Sequence, residues 1–176
     1  MKSAKLPANE TSRLAILRSL AILDSAEDPG FDNLVELTKT LFDVPMVALS
    51  LVDENRQWFK SKVGLGVCET DRELSFCAHI VENPNVMVVE DAMLDDRFFD
   101  NPLVTEEPYI RFYAGSPLRP TGDEVLGTLC VMHTTPREFS AMERELLDRL
   151  AVQAEQLIQL HALRHEKFEE QSHDQV

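Results

Sequence analysis

The sequence predicts an α+β domain, and three observations carry that expectation. Residues 111–132, RFYAGSPLRPTGDEVLGTLCVM, contain two runs, 112–118 and 125–132, that are apolar on both faces, as in strands covered from two sides. Between them Arg119, Pro120, Thr121, Gly122 and Asp123 supply turn chemistry, so the two runs form a pair in the middle of a sheet. Helical patterns open and close the chain. The resulting order is helix, helix, strand, strand, helix, short strand, irregular segment, strand, strand, helix.

Each element has its own signal. In residues 10–24, Leu14, Leu17 and Ala21 share a helix face, with Ile16, Leu20 and Leu23 beside them, a stripe wide enough to need a partner besides the sheet. Asp28-Pro29 offers a cap and a first-turn proline. Phe31, Leu34, Val35, Thr38, Leu41 and Phe42 then mark a second helix that ends near Asp43, before Pro45. Residues 46–52 form a continuous apolar run, read as a buried strand. After the turn Asp53-Glu54-Asn55, residues 57–63 set Trp58, Lys60 and Lys62 against Phe59, Ser61 and Val63, an alternation suited to a sheet edge. Gly64, Gly66 and the polar run 69–73 form a loop, and 74–82 a short helix with Ser75 as its cap. Residues 86–89 make at most a short strand. Residues 90–109 hold Phe98, Phe99, Tyr109, Pro102, Pro108 and much charge without periodicity, and so read as a lid with a helical turn or two. From Ser140 to about Glu170 runs a long helix, opened by Ser140 and Glu143 as a capping box.

Composition limits function. At 176 residues and 44% hydrophobic content the chain suits one ordered domain. Seventeen basic against 31 acidic residues give a formal charge of -14, which opposes nucleic acid and anionic membrane surfaces. The start, MKSAKLPANETSRL, has no apolar run of signal-peptide or membrane-spanning length, so a cytoplasmic protein is expected. Cys68, Cys77 and Cys130 are odd in number and lack paired metal spacing, and are read as thiols. His161 and His165, four apart on the last helix, lack a glutamate-containing zinc motif and are read as a surface pair. No metal site is expected, and the sequence names no cofactor.

Several stretches together resemble the GAF domain family, in the subtype found before diguanylate cyclase and histidine kinase domains of bacterial signalling proteins. They are RLAILRSLAILD, VALSLVDENRQWFKSKVGL, SFCAHIV, VVEDAMLDDRFFDNPLV, IRFYAGSPLR and LGTLCVM, in the family's order from Arg13 to about Leu160. The resemblance implies a three-layer domain. An antiparallel sheet of about five or six strands carries the terminal helices on one face and, on the other, a short helix and lid over a ligand cavity. The expected organisation is an N-terminal tail at 1–9, the GAF-like domain at 10–160 and a helical extension and tail at 161–176. GAF domains bind cyclic nucleotides, tetrapyrroles, haem, small acids or nothing known, so the resemblance implies no particular ligand. The cyclic-nucleotide signature of asparagine, lysine, phenylalanine and a later aspartate-glutamate pair is not visible here, nor is the proline-serine-aspartate-isoleucine-proline stretch of phytochromes.

The candidate ligand residues fall in three groups. Ser75, Phe76, Cys77 and His79 begin the helix that would floor the cavity, where unpaired amides could receive an anion; Phe76 and Cys77 as core, with His79 held by a carboxylate, is the alternative. Arg97, Phe98, Asn101, Tyr109 and Arg111 lie in or beside the lid, where guanidinium forks could clamp a carboxylate or phosphate. Asp95, Asp96 and Asp100 flank Arg97 and could instead pair with it. Trp58, Lys60 and Tyr113 could line the wall, although Trp58 could pack on a neighbouring strand. Asp91 could meet a ligand or cap the first turn of the lid.

The enzyme alternative rests on cysteines. Some GAF proteins reduce free methionine-R-sulfoxide with a low-pKa thiolate and a resolving cysteine, and VGLGVCET around Cys68, with Cys77 nine residues on, echoes them. Residues 90–111 contain no cysteine where that family places one, and Cys130 falls inside a central strand, where burial raises its pKa. The main expectation is a sensory or regulatory module that binds an unidentified small molecule and acts through a signalling protein partner. A scaffold whose cavity is filled by side chains is the other reading. Leu147, Leu150, Ala154, Leu157, His161, Arg164 and Phe168 follow a 3-4 spacing, which with the first helix predicts a homodimer; both helices covering their own sheet is the alternative. The chain stops near Val176 and carries no output domain in this reading.

Overall fold

In the computed structural model, which describes residues 1–173, helices α1 (Glu10–Ser19) and α2 (Pro29–Phe42) precede strands β1 (Met46–Val52), β2 (Arg56–Val63) and β3 (Glu69–Asp71). Then come α3 (Phe76–Glu82), β4 (Met87–Val89), the four-residue α4 (Pro102–Thr105), β5 (Phe112–Leu118), β6 (Gly127–His133) and α5 (Ala141–His173). Single 3-10 turns at Arg72–Leu74 and Ala92–Leu94 complete the chain. Residues 174–176 of the expected tail lie outside the described residues.

The six strands form one sheet in the order β3-β2-β1-β6-β5-β4, with every neighbouring pair antiparallel. The β5–β6 pair lies inside it as expected, and β1 and β6 occupy the centre. Strand alternation splits the core. Val47, Leu49, Leu51, Phe112, Ala114, Leu118, Leu129 and Val131 face α1, α2 and α5. Met46, Ala48, Val52, Tyr113, Cys130 and Met132 face α3 and the 90–111 segment. Fully buried strands of this kind are apolar on both sides because each side has its own layer to fill.

Sequence chemistry sets the helix ends. Asp28 accepts the Gly30 amide at 2.8 Å and Pro29 occupies the first turn of α2, which ends on a left-handed Asp43. The capping box of α5 is reciprocal. The Ser140 amide donates to Glu143 at 2.7 Å, and the Glu143 amide donates to Ser140 Oγ at 3.2 Å. Helix α1 is shorter than the expected 10–24. It ends at Ser19 because Ala21 and Asp24 both adopt left-handed backbone, with φ 50° and 58°, turning Ile22 into the core. Arg13 ties α1 to the sheet: its Nη1 donates to the Val52 carbonyl at 2.6 Å and its Nε to Glu10 at 2.9 Å. Arg72 reaches the same carboxylate.

Two strand expectations change. Strand β2 is not an edge, because the polar residues 69–71, read as loop, pair with it as β3. Its alternation is also interrupted: Ser50 pairs with Phe59 but Leu49 pairs with Ser61, leaving Lys60 as an extra, bulged residue. The bulge puts Ser61 and Val63 on the helix side, where Trp58 and Lys60 already lie.

Candidate functional site

The sheet face opposite the long helices carries a cavity of about 570 Å³. Its floor is Cys77 and Phe76 of α3 with Tyr113, Cys130 and Met132 of β5 and β6; Gln57 and Phe59 of β2 form one wall. The loop Gly64–Val67 and Thr70 close one side, and Leu103 with 107–110 closes the other. Only the second half of the expected lid therefore roofs the hollow. The first half is packed solid: the Phe98 ring stacks on Phe76 with centroids 4.0 Å apart, and Phe76 in turn lies 5.0 Å from the Tyr113 ring. Tyr109 sits at the rim, half exposed, with φ 57°, a backbone region that costs a non-glycine residue on the order of 1 kcal/mol. Its amide bond to the Glu106 carbonyl at 2.6 Å and the Ile110 amide bond to Leu103 hold the turn.

Of the expected ligand residues, Phe76, Cys77, Tyr109 and Tyr113 border this cavity. The others have structural partners. Trp58 lies across the sheet because it pairs with Leu51 of the helix-facing side, and Lys60, two residues on, follows it; Lys60 Nζ donates to Ser25 Oγ at 2.8 Å and to the Ala26 carbonyl at 2.5 Å. Ser75 caps α3 by accepting the Ala78 amide at 3.1 Å, and its hydroxyl donates to Gln57. The helix end expected to receive an anion is thereby occupied by its own cap. Arg97 pairs with Asp95 through Nε at 2.9 Å and Nη2 at 2.7 Å, and its guanidinium covers the Phe98 ring. Arg111 Nη1 donates to the Val104 carbonyl at 2.7 Å. Asn101 caps α4 and donates to the Leu74 carbonyl at 3.0 Å, joining the lid to the 3-10 turn that leads into α3. Asp91 caps its 3-10 turn through the Met93 amide. The guanidinium clamp is thus not assembled. His79 packs edge-on to Phe98 at 4.9 Å; burial, then the charge of Arg97, holds its pKa below the usual value.

A polar cluster lies at the cavity floor. Cys77 Sγ is 3.1 Å from Ser50 Oγ, 2.9 Å from Thr128 Oγ1, 3.2 Å from Tyr113 Oη and 4.0 Å from Cys130 Sγ. Three different central strands supply these partners. Tyr113 reaches in because the residue two along its strand face is Gly115. A Cβ there would lie 2.7 Å from Ile80 Cδ1 and 2.9 Å from Tyr113 Cζ, closer than packed atoms tolerate. Burial pushes the Cys77 thiol up, but its hydrogen bonds with Cys130, Ser50, Thr128 and Tyr113 outweigh this and bring it down to about 6. Cys130 moves the other way, driven up by its bond to Cys77 and by burial. Cys68 is exposed, so the neighbour of the Cys77 sulfur is Cys130 rather than the cysteine nine residues before it.

Sequence reasoning missed Gln57, Phe59, Leu65, Val67, Ile110 and the pairing of Cys77 with Cys130. Gln57 and Phe59 were open to it, since they alternate with Trp58; the opposite face was chosen.

An antiparallel sheet closed by terminal helices on one side and hollow on the other defines a three-layer α+β domain. The chain belongs to the GAF domain family, whose profile matches residues 28–158. It is 40% identical over 137 residues to a cyclic di-GMP phosphodiesterase of Pseudomonas aeruginosa, a match covering 78% of this chain and 23% of that protein. The chain therefore corresponds to less than a quarter of that relative. Among solved structures it superposes on the GAF domain of an Acinetobacter phosphoenolpyruvate-protein phosphotransferase with TM-score 0.62 and 22% identity, covering 88% of this chain and 98% of the other. A free methionine-R-sulfoxide reductase of Neisseria meningitidis in complex with its substrate gives TM-score 0.63 and 17% identity, covering 94% and 99%. Likeness at these identities speaks for the fold alone. No helix among the described residues is long and apolar enough to cross a membrane.

Proposed function

We propose that this GAF domain is a cytoplasmic regulatory module of bacterial signalling that takes up a small, largely apolar molecule, uncharged or cationic, in the cavity over β5 and β6. One observation carries the reading. The hollow has the size of ligand sites and is lined by Met46, Phe59, Leu65, Phe76, Ile110 and Met132, while among the described residues no lysine, arginine or histidine lines it and Glu107 is its one carboxylate. A phosphate or carboxylate entering it would lose water with no cationic side chain to replace it, a penalty of several kcal/mol. The sequence expectation of an anion clamp is replaced by this one. The phosphodiesterase relative supports a place in signalling; its named activity is not proposed for this part of a chain.

We further infer a homodimer through α5. Its inner face, Leu147, Leu150, Ala154 and Ile158, is spent on its own sheet, but Val152, Leu160 and Leu163 remain exposed on its outer side, and a second copy would cover them.

The test is thermal shift against matched sets of neutral, cationic and anionic small molecules. Stabilisation by neutral or cationic compounds, lost when Ile110→Trp fills the hollow, supports the reading. Stabilisation by anionic compounds alone would overturn the ligand class, and none at all would favour a scaffold without ligand.

A further inference from the structure

The Cys77–Cys130 cluster is not required by the binding role, and an apolar pair would fill its place. A buried sulfur surrounded by three hydroxyls and a second sulfur is instead the arrangement that stabilises a thiolate and places a resolving thiol beside it. We propose that Cys77 and Cys130 form a redox site at the cavity floor, where a small hydroperoxide oxidises Cys77 and Cys130 closes a disulfide onto it.

Three observations converge. The sulfurs are 4.0 Å apart, about 2 Å from bonding distance, which side-chain rotation at one residue can close. Ser50 and Thr128 donate to the Cys77 sulfur from β1 and β6, and Tyr113 lies within hydrogen-bond distance on β5. Both cysteines line the cavity yet are 1% and 2% exposed, so the hollow is the approach and only a small reagent fits it.

The chemistry balances. The Cys77 thiolate attacks the terminal peroxide oxygen; a sulfur–oxygen bond forms and the oxygen–oxygen bond breaks. The departing alkoxide takes the proton that left the Cys77 thiol and leaves as an alcohol. The Cys130 sulfur then attacks the Cys77 sulfenic acid. A sulfur–sulfur bond forms, the sulfur–oxygen bond breaks, and hydroxide leaves with the Cys130 proton as water. Each sulfur gives up one electron, and the peroxide takes two. The disulfide draws α3 onto β6 and removes the Cys77 sulfur from its hydroxyls, altering the cavity floor. The site needs the cavity as a passage and does not depend on a resident ligand.

The experiment uses the full chain with Cys68→Ser, which removes the exposed thiol. Hydrogen peroxide is added, the reaction is quenched, and mass spectrometry of the denatured protein and its peptides follows the cysteines. The expected result is loss of two hydrogens and a cross-linked peptide pair joining Cys77 to Cys130. With Cys130→Ser the Cys77 sulfenic acid persists and is trapped by a diketone probe. Thr128→Val, or Tyr113→Phe where that variant folds better, slows oxidation at pH 7 by about tenfold or more. Cys77 and Cys130 remaining thiols, while Cys68 of the parent chain is oxidised, would overturn the proposal. An unchanged rate in both hydroxyl variants would overturn it as well.

Discussion

Gly115→Ala examines the cavity floor with a single methyl group. Gly115 pairs with Cys130 and Met87 in the middle of the sheet, and its missing Cβ is the space that the Tyr113 ring and Ile80 occupy. Alanine restricts the unfolded chain and would by itself stabilise by about 0.5 kcal/mol. The overlap with Ile80 and Tyr113 works against it, at about 1 to 3 kcal/mol for an overpacked core site. The net loss is then roughly 0.5 to 2.5 kcal/mol, a fall in Tm of about 1 to 10 °C for a domain of this length. Tyr113 is backed by Phe76 and Phe98, so relief lies toward the hollow, and the ring should swing into it. Thermal and urea melts measure the first effect. A double-mutant cycle with Tyr113→Leu measures the second, since the alanine should become neutral or stabilising once the ring is gone, a coupling of about 1 kcal/mol or more. Additive effects, or an unchanged or raised Tm for Gly115→Ala alone, would refute the assignment of Gly115 as the space Tyr113 requires.

Acid should loosen the α1 anchor. Burial pushes the Glu10 carboxyl up, but Arg13 and Arg72 outweigh it and hold it at about 2 against an ordinary 4.5. A depressed carboxylate adds stability above its unfolded pKa and loses it as pH falls, here between about 4.5 and 2. After solvent screening the contribution is about 1 to 2 kcal/mol, and Glu10→Gln should flatten the stability profile in that window. Peroxide oxidation of Cys77 should rise with pH through a midpoint below the ordinary thiol range and then level. The groups facing it are Ser50, Tyr113, Thr128 and Cys130, and Thr128→Val should move the midpoint upward; a midpoint in the ordinary thiol range for the parent chain would contradict the cradle. Sedimentation at micromolar protein should give a dimer that Leu160→Glu with Leu163→Glu reduces to about 20 kDa, with melting unchanged; a parent chain already at that mass contradicts the α5 interface.

The elements with local signals were legible in the sequence: the cap of α2, the capping box of α5 and the apolar runs of β1, β5 and β6. What depended on tertiary pairing was not. The Lys60 bulge arises from the register of β2 on β1 and puts Ser61 and Val63 on the same side as Trp58 and Lys60, which a two-residue period cannot show; which face of that period meets the cavity depends on the pairing of Trp58 with Leu51. Strand β3 consists of Glu69, Thr70 and Asp71, whose side chains suit an exposed edge and resemble a loop. Helix α1 stops without glycine or proline, on left-handed Ala21 and Asp24. Arg97 and Arg111 were read as ligand clamps because guanidinium groups in a loop attract that reading, whereas Asp95 and the Val104 carbonyl already hold them. Cys77 and Cys130 are 53 positions apart, and only the packing of α3 on β6 brings them together.

Native mass spectrometry of the freshly purified protein tests the cavity most directly. The expected spectrum carries a small non-covalent adduct of neutral or cationic chemistry, absent from the Ile110→Trp variant. An adduct retained equally by that variant, or a parent chain without adduct that no neutral or cationic compound stabilises, would contradict a ligand seated over β5 and β6.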